Sequence, residues 1–402
     1  MTQTPIPLFD TIDFILGQRP SSSLSTQQQT DYLVSRAFLR AYEGSQGTFN
    51  SYRREVERLL HWTWSIAGKI LAELKREDIE LFIRFCQNPP KHWIGVKKVP
   101  RYVEQQGERI PNTQWRPFVA TLSKSSHRQG NLPKTQDFEL SQGALRETLA
   151  ILGSFFNYLT QEEHTLLNPV ALIRQKSKFI QKRQGPIKIR RLSQQQWQMV
   201  IQCAETMAEE NPHLHERTLF MMSALYSMYL RISELSASAR WIPKMNDFHR
   251  DHHNLWWFTT VGKGNKERQI AVSDTMLKAL ERWRQFLGLT PLPSLADQSP
   301  LLPKIRGKGP ISNTTYIREI VQACFDRAII QLRQLNLIDE ADQLMEATVH
   351  WLRHTGISED VKIRPREHVR DDAGHSSSAI TDKYIDIELK ERHKSARNKQ
   401  IY

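Results

Sequence analysis

The sequence predicts a mainly α-helical protein with one small antiparallel β-sheet, arranged as two domains. Three observations carry this. Apolar residues recur at helical spacing through most of the chain, as in Leu145, Leu149, Leu152, Phe156 and Leu159. One stretch reads instead as two strands, LWWFTTV and KERQIAV, around the turn GKGN. The chain has 402 residues, enough for two domains with cores of their own, and a basic stretch poor in apolar anchors separates two helical regions.

Taken in order, residues 1–29 end in a polar run and are expected to be mobile. A helical domain is expected over 30–166. Its first helix carries Tyr32, Leu33, Ala37, Phe38 and Tyr42, and its second Tyr52, Val56, Leu59 and Leu60. A third begins near Asp78 with Ile79, Phe82 and Phe85, and a fourth near Ser141. Arg54 and Arg58 project from the second helix as candidate contacts for a polyanion. Residues 87–139 are too long for an ordinary loop and interleave basic and aromatic side chains, among them Trp93, Lys97, Lys98 and Trp115. Two readings stay open: a DNA contact through Lys97 and Lys98, or an insertion whose aromatics pack on the helical domain. Residues 167–192 read as a basic linker, with Lys182 and Arg183 as DNA-binding candidates.

A second domain is expected over 193–402. It opens with a helix capped at Ser193, followed by a helix over 216–230 that is apolar nearly all round and therefore buried. The strand pair comes next, with Lys266 and Arg268 as further candidate phosphate contacts. Residues 287–312 read as a surface excursion with a basic tip, after which helices resume. The last residues, from 385, form a short apolar edge followed by a basic tail.

The net charge of +13 favours a polyanionic partner. No run of 18 apolar residues exists to span a bilayer, so no membrane partner is expected. The N-terminus lacks the basic start and apolar core of a leader. Cys86, Cys203 and Cys324 lie in apolar helical pattern without C-x-x-C spacing, which suits reduced core thiols in a cytoplasm. Metal catalysis lacks an inventory: there is no D-x-D cluster and no H-E-x-x-H, so no metal site and no cofactor is expected.

The densest chemistry is HWLRHTGISEDVKIRPREHVRDDAGHSSSAITDKY, from His350 to Tyr384. His350 and Arg353 share a helix face. A guanidinium donates as a planar fork suited to phosphate, and histidines add donors to the same oxygens. Tyr384 is the conventional nucleophile of the set. Its ordinary pKa of about 10 sets attack at pH 7 against about 4 kcal/mol, which surrounding cations reduce. Upstream, Arg231 follows the apolar helix, Glu234 lies one turn beyond it, and Lys263 sits in the turn of the strand pair.

This set resembles the catalytic domain of the tyrosine recombinases, the phage-integrase family, over about residues 190–390. The resemblance implies an N-terminal helical core-binding, SAM-like domain joined to a C-terminal catalytic domain. It implies Arg231 and Arg353 as phosphate-clamping arginines, with His350 and His375 beside them. Lys263 would be the acid that protonates the leaving oxygen, Tyr384 the nucleophile, and Glu234 the support of the first arginine. One segment departs from the family pattern: Pro365 falls where a helix should run, and Asp371-Asp372-Ala373 precede Gly374 in place of apolar residues.

The implied activity is site-specific breakage and rejoining of duplex DNA through a 3′-phosphotyrosine, for integration, excision or resolution of a DNA element. The implied partner is double-stranded DNA with inverted-repeat half-sites, bound by a homodimer and synapsed as a homotetramer, with accessory DNA-bending proteins. A prokaryotic cytoplasm, at the nucleoid, is the expected setting. Two alternatives stay open: a relaxing enzyme like the type IB topoisomerases, and a DNA-binding protein with degenerate catalysis.

Overall fold

Helix formation in the N-terminal half begins at a capping box. The Ser25 hydroxyl accepts from the Gln28 amide, and the Gln28 side chain accepts from the Ser25 amide. Two otherwise orphaned donors are satisfied at the start of α1, Thr26–Arg40. Helix α2, Gln46–Trp62, runs into a π-type turn and stops at Gly68, whose φ of 64° reverses the chain. Helix α3 is Arg76–Gln87. The computed structural model describes residues 4–171, 173, 179, 190–262, 264–382, 384, 396 and 397. The chain divides into two units, Met1–Gln184 and Gly185–Tyr402.

Residues 87–139 are not a bare loop. They form β1 (Ile94–Gly95), β2 (Tyr102–Gln105), β3 (Glu108–Pro111), β4 (Phe118–Val119) and the short helix α4 (Lys124–Arg128). β1 pairs with β4 in parallel, and β2 with β3 as a hairpin turning through Gln106 and Gly107, both at positive φ. Trp93, Trp115 and Phe118 are buried, and Trp93 meets Phe85 of α3 edge to face. The aromatics of this stretch thus pack on the helical unit, while Lys97 and Lys98 stay exposed. Helix α5, Gln142–Gln161, completes the unit and buries the expected stripe of Leu145, Leu149, Leu152, Phe156 and Leu159.

The start of the chain differs from expectation. Phe9 and Ile15 are wholly buried, and Phe9 stacks on Tyr32 at 4.9 Å. Glu57 accepts from the amides of Leu8 and Phe9, and Arg109 donates two bonds to the Asp10 carboxylate. Burying each of the two large apolar side chains contributes about 1.5–3 kcal/mol, and together with the bonds to Glu57 and Arg109 this offsets part of the entropy of ordering the segment.

The second unit opens with α6, Gln194–Glu210, on a Ser193–Gln196 capping box. Helix α7, Pro212–Ser227, starts with Asn211 as cap and proline at its first position. Helix α8 is the single turn Ile232–Leu235. Strands β5 (Phe248–Arg250), β6 (Trp256–Val261) and β7 (Glu267–Ala271) form an antiparallel sheet in chain order. Phe248, Phe258 and Ile270 lie in register across it and are all buried, as the two-residue period requires. Helix α9 is Asp274–Phe286. The stretch 287–312 is anchored more firmly than a surface excursion: Leu301, Leu302 and Ile311 are buried, and the Leu301 carbonyl accepts from the Trp283 indole at 3.0 Å. Helices α10 (Thr314–Gln334), α11 (Ile338–Met345), α12 (Val349–Asp360), α13 (Arg366–Ala373) and α14 (Ser378–Asp382) follow.

Helix α12 crosses close against the end of α7 at Gly356. A methyl group on Gly356 would lie 2.1 Å from the Tyr226 carbonyl oxygen. Only glycine permits that crossing, and it brings Arg353 beside the chain that leaves α7. The three cysteines are buried and free. Among the described residues, no helix is long and apolar enough to cross a membrane.

Candidate active site

Arg231 is the cap residue of α8, and Glu234 lies one turn on. The Glu234 carboxylate accepts from the Arg231 amide at 2.8 Å and from its Nη1 at 3.0 Å. A second arginine shares it: Arg268, on β7, donates Nη1 to Oε1 at 2.7 Å and Nη2 to Oε2 at 2.9 Å. Burial alone would raise Glu234, but bonds and charge from Arg268, then Arg231, outweigh it and hold the carboxyl below its ordinary value. Gly262 leaves room for this cluster, since a methyl there would meet Arg268 Nη1 at 3.1 Å and Glu234 Oε1 at 3.2 Å. The Arg231 side chain remains 29% exposed, so it can still offer charge outward.

Arg353 is held differently. It is 2% exposed and donates Nη1 to the Tyr229 carbonyl and Nη2 to the Ala373 carbonyl, the latter at 2.6 Å. Tyr229 adopts φ 50°, unusual for a buried aromatic residue. Its hydroxyl donates to Asp360 and accepts from Arg364 Nη1 at 2.9 Å. Arg364 also pairs with Asp372, whose other oxygen accepts from the Ala271 amide at 3.2 Å. Burial, then the nearby charges of Arg231 and Arg268, push the Arg353 guanidinium down to about 9.

The irregular segment before Gly374 is resolved by this network. Helix α12 ends at Asp360, and Pro365 caps the separate helix α13, so no helix is broken by it. Asp360, Arg364 and Asp372 satisfy one another and Tyr229 where apolar packing was the family expectation. Gly374 ends α13 at φ 64°, and a methyl there would lie 2.8 Å from Arg268 Cδ.

Tyr384 follows α14 and is 7% exposed. Its hydroxyl and His354 Nδ1 are 2.6 Å apart. The His375 ring lies parallel to it at 5.7 Å, with Nδ1 on the Thr381 hydroxyl at 2.9 Å. The partly exposed His350 ring meets His354 edge on at 4.3 Å. Burial pushes the Tyr384 phenol up, and Arg353 and Arg231 pull it back in part. Burial, then Arg353, Arg231 and Arg268, lower His375 to about 4, and burial with Arg353 and Arg231 lowers His350. The structure therefore gathers Arg231, Glu234, His350, Arg353, His375 and Tyr384 in one place. Chemically the set combines a phenol, neutral imidazoles and two guanidiniums, one buried and one partly exposed, the groups that attack on a phosphodiester needs.

The other sequence candidates are scattered. Lys263, Lys182 and Arg183 lie outside the described residues, as does the tail expected after Tyr384 apart from residues 396 and 397. Lys266 is exposed, as are Lys97 and Lys98. Three candidate DNA contacts are committed elsewhere. Arg268 is spent on Glu234 and on the Asp372 carbonyl. Arg58 pairs with Glu55, donates to the Pro117 carbonyl and covers the Phe118 ring. Arg54 pairs with Glu55 and Glu147. Each has a carboxylate within reach that a count of basic residues does not reveal.

Sequence reasoning missed His354, Arg268's structural role and the Tyr229 network. His354 had a signal: it stands four residues after His350 and shares its helix face. The others had none, because their partners are far away in the chain.

No family model matches the sequence, and no curated protein matches it. Solved structures do. The XerH site-specific recombinase bound to a palindromic difH substrate, in a post-cleavage complex, matches at TM-score 0.52 and 12% identity, over 96% of this chain and 93% of that one. The Tn1549 transposon integrase in complex with a circular intermediate DNA matches at 0.50 and 13%, over 91% and 98%. The chain has the fold of these site-specific recombinases and integrases.

Proposed function

We propose that the chain is a tyrosine site-specific recombinase, which cleaves and rejoins duplex DNA through a 3′-phosphotyrosine. The observation that carries the reading is the buried Tyr384 hydroxyl set among His354, His375, Arg353 and Arg231. In this reading Tyr384 attacks the scissile phosphate. Arg231 and Arg353, with His350 and His375, stabilise charge on the non-bridging oxygens, and Glu234 holds Arg231. Lys263, between Gly262 and Gly264 in sequence, gives its proton to the leaving 5′-oxygen. The ester conserves the bond energy, so rejoining by a 5′-hydroxyl requires no nucleotide cofactor. Lys97, Lys98, Lys182, Arg183 and Lys266 contribute to backbone contact.

The XerH substrate is described as palindromic, which supports inverted half-sites here as well. Two-fold DNA symmetry calls for two protomers per site, and exchange between two sites for four. The three buried thiols suit work in a reducing cytoplasm.

The test is covalent capture. Nicked duplexes with randomised half-sites are incubated with the full chain in excess chelator, and DNA that survives denaturation on the protein is recovered and sequenced. A site-bearing adduct is expected for wild type and none for Tyr384→Phe, which still binds the recovered DNA. Equal capture by Tyr384→Phe, or capture only after magnesium is restored, overturns the reading. Relaxation of supercoiled DNA without site preference would point to a topoisomerase, and footprinting without an adduct to a binding protein.

A further inference from the structure

We propose that His354 is the base that takes the phenolic proton of Tyr384 as the tyrosine attacks phosphorus. The inference rests on Tyr384 being the nucleophile.

The geometry singles this histidine out. His354 Nδ1 lies 2.6 Å from the Tyr384 oxygen, and the two rings are near parallel with centroids 5.3 Å apart. That is hydrogen-bond reach to the reacting atom itself. The neighbouring histidines are placed otherwise: His375 turns Nδ1 to Thr381, and the His350 ring meets His354 edge on. Tyr384 is nearly inaccessible, so bulk water is poorly placed to accept its proton. Helix α12 supplies both the buried cation Arg353 and, one residue later, the acceptor.

His354 is also in the right protonation state. Burial, then His350, Arg353 and His375, lower it from 6.5 to about 4, so its ring is neutral at pH 7 and has a lone pair to offer. Among the described residues these three, with Tyr384, are the titratable and charged groups that bear on it. So low a value makes a weak base toward an ordinary phenol. A bound phosphodiester changes that, because its negative charge offsets Arg353 and raises the affinity of the imidazole for a proton. Proton acceptance is thereby tied to the presence of DNA.

The step balances. As the Tyr384 oxygen–phosphorus bond forms, the phenolic proton passes to Nδ1. The bond from phosphorus to the 5′-oxygen breaks, and that oxygen takes a proton from the acid assigned above to Lys263. In rejoining, the 5′-hydroxyl attacks phosphorus and gives its proton back to the group assigned to Lys263, while the bond from phosphorus to the Tyr384 oxygen breaks and the His354 imidazolium returns its proton to the departing phenolate.

The test uses the full chain and the captured nicked duplex, with adduct formation followed in a single turnover across pH. His354→Asn keeps a hydrogen-bond acceptor near the Nδ1 position but cannot take the proton. It should bind the duplex as wild type does and form adduct at least about 100-fold more slowly at pH 7. Its rate should climb with hydroxide, without the inflection and plateau of wild type. A bridging 5′-sulfur, which leaves without a proton, should not restore it. Imidazole added to His354→Gly should restore adduct, more so for imidazoles of higher pKa.

A His354→Asn rate and profile like wild type, with His354→Ala slow, would reduce His354 to positioning and overturn the proposal. Sulfur rescue of His354→Asn would also overturn it, by moving its role to the leaving group. If the variants do not fold, a wild-type rate with no inflection between pH 4 and 8 overturns it as well. Adduct formed equally by Tyr384→Phe would instead remove the nucleophile reading on which the inference stands.

Discussion

Lys266 and Arg268 are two residues apart in sequence but occupy opposite environments. Lys266 is exposed at the turn, where a cation is free to meet a phosphate. Arg268 is 9% exposed and forks onto a carboxylate that Arg231 also uses. Removing Arg268 takes two charge-assisted bonds from a buried carboxylate that keeps only Arg231, at a cost of about 1.5–3 kcal/mol. Arg268→Ala is therefore expected to lower stability by that order in urea unfolding, and to loosen Arg231 with it. Lys266→Ala should change stability by less than about 0.5 kcal/mol and instead flatten the log–log salt dependence of DNA binding by about one unit. Equal stability losses for the two would mean that Glu234 does not depend on Arg268.

Between elements, the controlling feature is the crossing of α12 over α7. Gly356 meets a backbone carbonyl, which cannot swing aside as a side chain can. Gly356→Ala must force the two helices apart, and overpacking of this kind costs about 1–3 kcal/mol. Its second effect is local, since Arg353 on the same helix reaches the Tyr229 carbonyl just past the end of α7. The expected result is a lower thermal midpoint together with slower adduct formation per folded molecule. An unchanged midpoint would show that the crossing has slack.

For the whole molecule, acid is the informative variable. His354 and His375 are held at about 4 in the fold, against an ordinary 6.5. The unfolded chain therefore binds protons at these positions that the folded chain refuses. Their contribution to stability is complete above pH 6.5 and is lost as pH falls toward 4. The DNA-free protein should lose thermal stability from pH 6.5 to 5, above the range where most carboxylates titrate. A His354→Asn, His375→Asn double variant should lose less over that interval. A fall of the same size in both proteins would place the acid sensitivity elsewhere.

The sequence by itself determined the fold class and the residue types of the candidate site. Both follow from short-range regularities: helical spacing of apolar residues, a glycine turn between two strands, and a histidine and an arginine one helical turn apart. The segment with Pro365 was unreadable on those terms, because its polar residues are satisfied by each other and by Tyr229, 131 residues before Asp360. The anchoring of Phe9 and Asp10 depended likewise on Tyr32, Glu57 and Arg109. Charge was the least legible property. A basic residue looks the same in sequence whether it stays open to solvent, like Lys97, or is paired with a carboxylate, like Arg268. Only the tertiary structure decides between them, because an ion pair forms by proximity in space, and periodicity carries no record of distance between elements.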